Sequence, residues 1–512
     1  MALVFCLVFL FSFSSVKAAD YTLFARHPFD ENFILPDTVP NTAEIQAAGK
    51  LILFSSRGEY ESATFAIYNS GASVLDNVEV SIPTLINSHN QSFSQDNIEI
   101  NVVKIIEKRL SRWDKNSLVP RPSALIPYTQ GWINDGEFDI PAKTSKQWWI
   151  TVKANQNTQP GIYQGNIQIK PTNGPTKNIS LEVEVSLAIL LTNPEKSHGF
   201  WYHPPPEHIW NYRQGDLATI ENFRKGLRAD FTLMKKMGLQ TVSGRSYTYG
   251  GDTSYLRVFL EEVKRAGLGD QPMFMMTLGK QSDPDWLLEA KSLSEEIGIP
   301  EFYWMTTDEA FQDRPNEQTE TCIKRRKALR GGFNLIRQAI PDAKILSTTS
   351  FNRWYSKPYS HPPYTGWQEI EDEYGNFYSE YFQVHVYNGS IGNFGMTYRD
   401  PINMIEQHLQ ETGDIGYMYI NKAYHVAMTT PYDHRIDSGL FLWILPVGGN
   451  SPWTYQSIQG DPYTDADGSE TRGDVLYAYP DKYDNGNPIP ALRFIGMREG
   501  IDDTRYFYTL EE

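Results

Sequence analysis

Asp308 and Glu309 stand side by side at the end of an apolar run, Phe302-Tyr303-Trp304-Met305-Thr306-Thr307. Two carboxyls held close together raise each other's pKa, so one is readily kept protonated while the other stays ionised. Cleavage of a glycosidic bond asks for that pairing: an acid to protonate the leaving oxygen and a carboxylate to support the developing positive charge. The same dipeptide also suits a helix N-cap acid followed by an exposed glutamate. Consecutive strand residues point to opposite faces, so both acids reach one sugar ring only where the strand breaks into loop. Adjacent acids leave little room for a nucleophile on one side of a sugar and an acid on the other. They suit substrate assistance, in which the substrate's own 2-acetamido oxygen attacks the anomeric carbon. One carboxylate then orients that acetamido group while its neighbour protonates the glycosidic oxygen.

The elements that would position such a pair are legible as two rhythms. From about 20 to 190 the chain reads as short strands: Leu51–Phe54, Ala63–Tyr68, Val78–Ile82, Ile98–Val103, Trp148–Val152, Gly165–Ile169 and Ile179–Val185. Turn formers such as Asn69-Ser70-Gly71 and Pro160-Gly161 separate them, and strands at this spacing predict a β-sandwich. From about 195 strands alternate with helices. Asn222–Met237, Tyr255–Ala266 and Asp285–Ile297 have helical spacing and stop at Gly238, Gly267 and Gly298, each shortly before an extended run. Glycine closing a helix ahead of a strand is the loop chemistry of αβ units. The extended runs are Gly199–Tyr202, Leu239–Ser243, Pro272–Leu278, Phe302–Thr307, Lys344–Ser350, Tyr381–Tyr387, Ile415–Ile420 and Leu440–Leu445; the helices Glu320–Ile340 and Pro401–Glu411 continue the alternation. Eight such units predict a (β/α)8 TIM-type barrel, with an open doubly wound sheet as the alternative. In a barrel the site forms at the C-terminal ends of the strands, where the fourth run delivers Asp308 and Glu309.

Residues 1–18 carry an apolar run from Ala2 to Phe11 and end in Val16-Lys17-Ala18, an A-x-A-like cleavage site. They read as a signal peptide, too short to span a bilayer, and predict export to the periplasm, the cell surface or the extracellular space. Cys6 lies inside that segment, which leaves Cys322 alone and allows no internal disulfide in the mature chain. A formal charge of −16 argues against a nucleic-acid partner, whose phosphates demand a basic face. No G-x-S-x-G, H-E-x-x-H, C-x-x-C, P-loop or G-x-G-x-x-G is present, which removes the simple signatures of serine hydrolases, zincins and nucleotide binding.

Weaker candidates surround the pair. Tyr202, His203 and Tyr387 stand at strand ends, where a hydroxyl or imidazole would meet substrate. Trp443 and Trp453 offer rings to stack on a sugar, with core packing as the alternative. Arg498-Glu499 reads as a structural ion pair, and His385 and His434 as structural histidines. Asp465-Ala466-Asp467-Gly468 resembles the start of a calcium loop but lacks the remaining ligand spacing, so a solvated loop is the preferred reading and no metal site is expected.

Several motifs together are similar to glycoside hydrolase family 123, whose known members are β-N-acetylgalactosaminidases, and to the wider set of proteins sharing its barrel. They are Ile489-Pro490-Ala491-Leu492-Arg493 followed by Gly496-Met497-Arg498-Glu499-Gly500-Ile501-Asp502-Asp503, Gly473–Pro480, Gly439–Leu445 with Trp453, Gly58–Ser62, and Pro160–Gly165. The resemblance runs from about residue 50 to the C-terminus. It implies an all-β sandwich (20–192) followed by the catalytic barrel (195–512), with neither metal nor organic cofactor. It also implies that Asp308 holds the acetamido group and that Glu309 is the general acid and base. Family members commonly have proline after the pair, where this chain has Ala310. The expectation is a retaining hydrolase of a β-linked N-acetylhexosamine, N-acetylgalactosamine first, acting on a glycan or glycoconjugate. A glycosidase of a sugar without the acetamido group and a non-catalytic carbohydrate-binding surface protein are the alternatives.

Overall fold

The computed structural model describes residues 20–110, 117–202, 219–245, 253–277, 279–306, 331–350, 382–388, 399–419, 429–466 and 473–512. Residues 1–18, expected to be a signal peptide, lie outside them. Nine strands build the N-terminal half: β1 Tyr21–Phe24, β2 Lys50–Arg57, β3 Glu59–Asn69, β4 Glu79–Ser81, β5 Ile98–Arg109, β6 Leu118–Pro127, β7 Ser145–Ala154, β8 Gly161–Lys170 and β9 Lys177–Ile189. They form two sheets, ordered β1-β3-β7-β5-β6 and β2-β9-β8-β4. In β9 the alternation is plain: Ile179, Leu181, Val183 and Val185 are buried, and Ser180, Glu182 and Glu184 between them turn outward. Strand β6 escapes sequence reading because Pro120, Pro122 and Pro127 break its pattern. It tolerates them as an edge strand, paired to β5 alone within its sheet.

The second half supplies β10 Ser197–His198, β11 Gly244–Arg245, β12 Met273–Met276, β13 Phe302–Met305, β14 Lys344–Ser350, β15 Val384–Asn388, β16 Ile415–Tyr419 and β17 Gly449–Asn450. All eight lie in one sheet ordered β10-β17-β16-β15-β14-β13-β12-β11, and every pairing is parallel. The two end strands approach each other as well: Trp201 forms a parallel bridge with Ser243, whose amide donates to the Phe200 carbonyl at 2.9 Å. Helices Ile220–Lys236, Thr253–Ala266, Pro284–Ile297, 331–339 and Arg399–Thr412 alternate with the strands. The glycines expected to close the first three have φ of +86°, +72° and +82° at Gly238, Gly267 and Gly298, the left-handed backbone that favours glycine.

One expected strand is a helix. Leu440–Leu445 falls in a π-helical turn, Asp437–Phe441, and a short helix, Leu442–Ile444; β17 follows at Gly449 instead. Phe441, Leu442 and Leu445 are buried while Leu440 and Ile444 are exposed, a helical rather than alternating pattern that a short apolar run conceals.

The chain does not leave the sandwich for good at residue 192. Ile458, Leu476, Tyr479, Ile489 and Ala491 return to its core, and Ala491 bridges Ala124 of β6. Asp465 is buried with them, accepting from Lys108 Nζ at 3.2 Å and from the Arg109 amide at 2.8 Å. The acidic loop is therefore neither solvated nor calcium-like at this residue: a buried ammonium occupies the carboxylate. The rest of that motif, from Asp467, lies outside the described residues.

The last helix, Leu492–Glu511, is wedged between the two halves. A Cβ on Gly496 would lie 2.0 Å from the Pro431 carbonyl oxygen, and one on Gly500 would lie 2.4 Å from that of Arg435. The glycines therefore let this helix touch the backbone of helix Pro431–Ile436. On its other side Arg498 and Glu499 form a buried pair at 2.7 Å, both hydrogen-bonded to Ser62 of β3. Arg435 closes on Asp503 at 2.7 Å, and Tyr506 donates to Glu59 at 2.6 Å. Gly496→Ala should cost about 3 kcal/mol through enforced backbone displacement, read as a lowered midpoint in denaturant titration.

The same seam predicts a pH dependence. Burial pushes Glu59 up to about 8, and burial with the charges of Glu499 and Glu59 pushes Glu61 up to about 9. Glu499 and Asp502 are raised too, again chiefly by burial. These carboxyls hold their protons more tightly folded than unfolded. The stability they contribute is therefore full below the ordinary carboxylate range and is lost as pH rises through about 8 to 9. Melting temperature should fall as pH is raised from about 5 to 9, and Glu59→Gln should flatten that slope.

Candidate functional site

Parity along the parallel strands sorts their side chains into two layers. One face carries Trp201, Phe274, Met276, Tyr303, Met305, Leu346, Val384, Val386, Tyr417 and Tyr419, which form one buried cluster with Trp453 packed at its border. Register ties these positions together: Met276 pairs with Met305, Leu346 with Val384, and Val386 with Tyr417. Their rings interlock, with Trp201 5.4 Å from Phe274 and edge-on to Tyr419 at 6.3 Å, and Phe274 edge-on to Tyr417 at 5.1 Å. Burial pushes the Tyr303 and Tyr417 hydroxyls up, so both stay neutral donors at any physiological pH.

Toward the C-terminal ends of the strands this layer presents Trp201, Met276, Met305, Tyr419 and Trp453. Trp201 and Trp453 bridge each other in parallel, and the Thr454 hydroxyl donates to the Trp201 carbonyl. The indole N–H of Trp201 and the hydroxyl of Thr306 are buried and have no hydrogen-bond partner among the described residues. Thr306 is the last described residue of its strand, and Asp308 and Glu309 follow it by two and three residues, outside the described residues. Helix 331–339 resumes beside it: a Cβ on Gly332 would lie 3.1 Å from the Thr306 methyl. The chain therefore departs toward the acidic pair and comes back at the same strand end.

The other expected site residues are dispersed. Tyr202 points to the opposite face from Trp201. Its hydroxyl donates to Asp230 of helix Ile220–Lys236 at 2.7 Å, and its ring packs on Phe231. Tyr387 is likewise on the outer face, fully buried among Ile405, Met418 and Phe441. Trp443 is half-buried on the outer helix, 5.4 Å from Phe507 of the last helix. His203 lies outside the described residues. Of the four that are described, Trp453 alone borders the aromatic layer. His385 and His434 are structural, paired with Asp414 at 2.8 Å and with the Tyr477 hydroxyl at 3.2 Å. The aromatic layer itself was missed, although the alternation within β12, β13 and β16 carries the signal; Trp201, beyond the end of β10, joins the layer where it bridges Ser243 and Trp453. Among the described residues no cluster of His, Cys, Asp or Glu is arranged to hold a metal ion.

Residues 47–171 match the model of the glycoside hydrolase 123 N-terminal domain. A family 123 glycoside hydrolase from Clostridium perfringens, studied for glycolipid glycan hydrolysis, has a similar structure. The TM-score is 0.66 at 16% identity, with 96% of this chain and 89% of that one covered. The resemblance to glycoside hydrolase family 123 is thereby shown. The comparison with the Clostridium enzyme shows the fold, a sandwich joined to the parallel αβ unit. A family 39 glycoside hydrolase from Bacteroides cellulosilyticus (9% identity, TM-score 0.36, 88% of this chain and 81% of that one) carries no argument at that score. The same holds for a GH5 xyloglucanase from Bacteroides ovatus (9% identity, TM-score 0.29, 89% and 98%). A search among curated protein sequences finds no match.

The outer placement of Tyr202 makes a testable distinction. Tyr202→Phe should cost about 2 kcal/mol of stability, for the lost bond to a buried carboxylate, and should leave KM for any cleaved glycoside unchanged; denaturation and steady-state kinetics on one preparation check both.

Proposed function

We propose that the protein is an exported, retaining glycosidase that releases a β-linked N-acetylhexosamine, N-acetylgalactosamine first, by substrate assistance. The observation that supports this reading most directly is the course of β13. It ends at Met305 in the aromatic layer, and the sequence places Asp308 and Glu309 immediately beyond that strand end. We take the parallel sheet, bridged between its end strands, as a closed (β/α)8 barrel whose C-terminal mouth holds the sugar.

In this mechanism Asp308 accepts from the acetamido N–H and holds that group against the anomeric carbon. The acetamido oxygen attacks as the glycosidic bond breaks, and Glu309 passes its proton to the leaving oxygen. An oxazolinium forms; Glu309, now a carboxylate, takes a proton from the water that opens it, and the β configuration is restored. Trp453, partly exposed at the border of the aromatic layer and bridged to the buried Trp201, gives the sugar an aromatic face. An aromatic face suits a ring with one apolar face and polar edges.

Hydrolysis of aryl β-glycosides of N-acetylgalactosamine, N-acetylglucosamine and galactose by the mature protein tests the proposal. Turnover of acetamido sugars alone is expected, with kcat falling at least about 100-fold in both Glu309→Gln and Asp308→Asn. Turnover of galactoside would point to a conventional nucleophile instead. Binding without turnover of any sugar would leave a carbohydrate-binding protein.

A further inference from the structure

At the amino ends of the strands, opposite the proposed sugar site, a groove of about 510 Å³ opens between the sandwich and the αβ unit. Its walls carry Lys153, Lys235, Lys236, Arg265, Arg498 and Arg505 against a single acid, Asp502. This concentration of positive charge stands out in a chain of net charge −16.

Most of these cations have work within the fold. Arg505 binds Asp502 at 2.6 Å and the Gly58 and Leu190 carbonyls, each at 2.9 Å. Arg265 joins Arg224 and Arg228 around Glu262, and Lys236 pairs with Glu99 at 2.6 Å. Lys235 donates to the Gly267 carbonyl at 2.8 Å, where a cation offsets the negative end of a helix. It meets no carboxylate in an ion pair among the described residues.

What remains is unusual. Lys153 has no ion-pair partner among the described residues; its ammonium faces the Tyr60 ring at 4.9 Å from the centroid. The Arg498 guanidinium faces the same ring, also at 4.9 Å. Its Nη2 is used by Ser62 and Glu499, but its Nε–H is buried with no partner among the described residues. Two cations gathered on one aromatic ring repel each other unless an anion joins them. Glu499 answers the Arg498 charge through Nη2 and Asp502 is paired with Arg505, so of these two the Lys153 ammonium is the charge left without an ion-pair partner among the described residues.

We propose that this groove binds a tetrahedral oxyanion of the sulfate or phosphate type, seated between Lys153, Lys235 and the Nε–H of Arg498. Its volume leaves room for the group that carries the oxyanion, so an acidic saccharide fits as well as the free ion. The site is distinct from the proposed sugar-cleaving end of the sheet and does not rest on that reading.

Calorimetric titration of the mature protein with sodium sulfate, at ionic strength held constant with chloride, is the test. A sulfated monosaccharide and its unsulfated counterpart are titrated in parallel. Saturable sulfate binding is expected, weakened about tenfold by Lys153→Gln and by Lys235→Gln, each of which removes one charged contact. Tighter binding of the sulfated sugar than of free sulfate identifies the saccharide as the source; equal binding identifies the free ion. Heat that never saturates, or binding that both substitutions leave unchanged, overturns the proposal. Aryl-glycoside turnover measured on the same preparations separates this result from the fate of the glycosidase reading.

Discussion

Two backbone carbonyls, those of Pro431 and Arg435, lie so close to the last helix that no side chain fits between. Gly496 and Gly500 meet that demand, and the rest of the seam follows from it. Once the helix is seated, Arg498, Glu499, Asp502, Asp503 and Tyr506 fall within reach of β3 on one side and of Arg435 on the other. The Gly-Met-Arg-Glu-Gly-Ile-Asp-Asp stretch is thus one device: small residues admit the helix, and charged ones tie it to both halves. Burying an ion pair is costly unless its geometry is good and its remaining polar groups are satisfied. Here Ser62 completes the Arg498–Glu499 pair.

The two halves therefore behave as one structure. The core that contains helices Ile220–Lys236 and Thr253–Ala266 also takes in Phe29, Val103, Leu125 and Trp149 from the sandwich. The sandwich core in turn takes in Ile458, Leu476, Tyr479, Ile489 and Ala491. A relative orientation fixed by so much shared apolar surface leaves little freedom for hinge motion between the halves. The strand ends of the αβ unit are accordingly held in a fixed frame.

Much of that frame was legible in the sequence because it is local. Gly238, Gly267 and Gly298 announce where helices end, since few other residues accept their backbone angles. The run Phe302–Thr307 announces a strand that stops just before two acids. What stayed hidden depends on partners far along the chain. The prolines of β6 make sense only once it is known to be an edge, and Leu440–Leu445 shows helical burial only once its neighbours are in place. Asp465 looked solvated until Lys108, more than three hundred residues earlier, proved to be its counterion. Within the site, the choice between Trp201 and Tyr202 rests on isolated bridges from Trp201 to Ser243 and Trp453, partners too far along the chain for pattern alone to reveal.

The meeting of Thr306 with Gly332 bears on how such a protein diversifies. A segment that leaves and rejoins the frame at one point adds or loses residues cheaply, because closing a loop twice as long costs only about 0.6 kcal/mol more. Insertions between those two positions would leave the sheet and the seam untouched so long as Asp308 and Glu309 keep their sequence distance from Thr306. Length could then change while the acidic pair stays anchored, and the scaffold beneath it changes slowly.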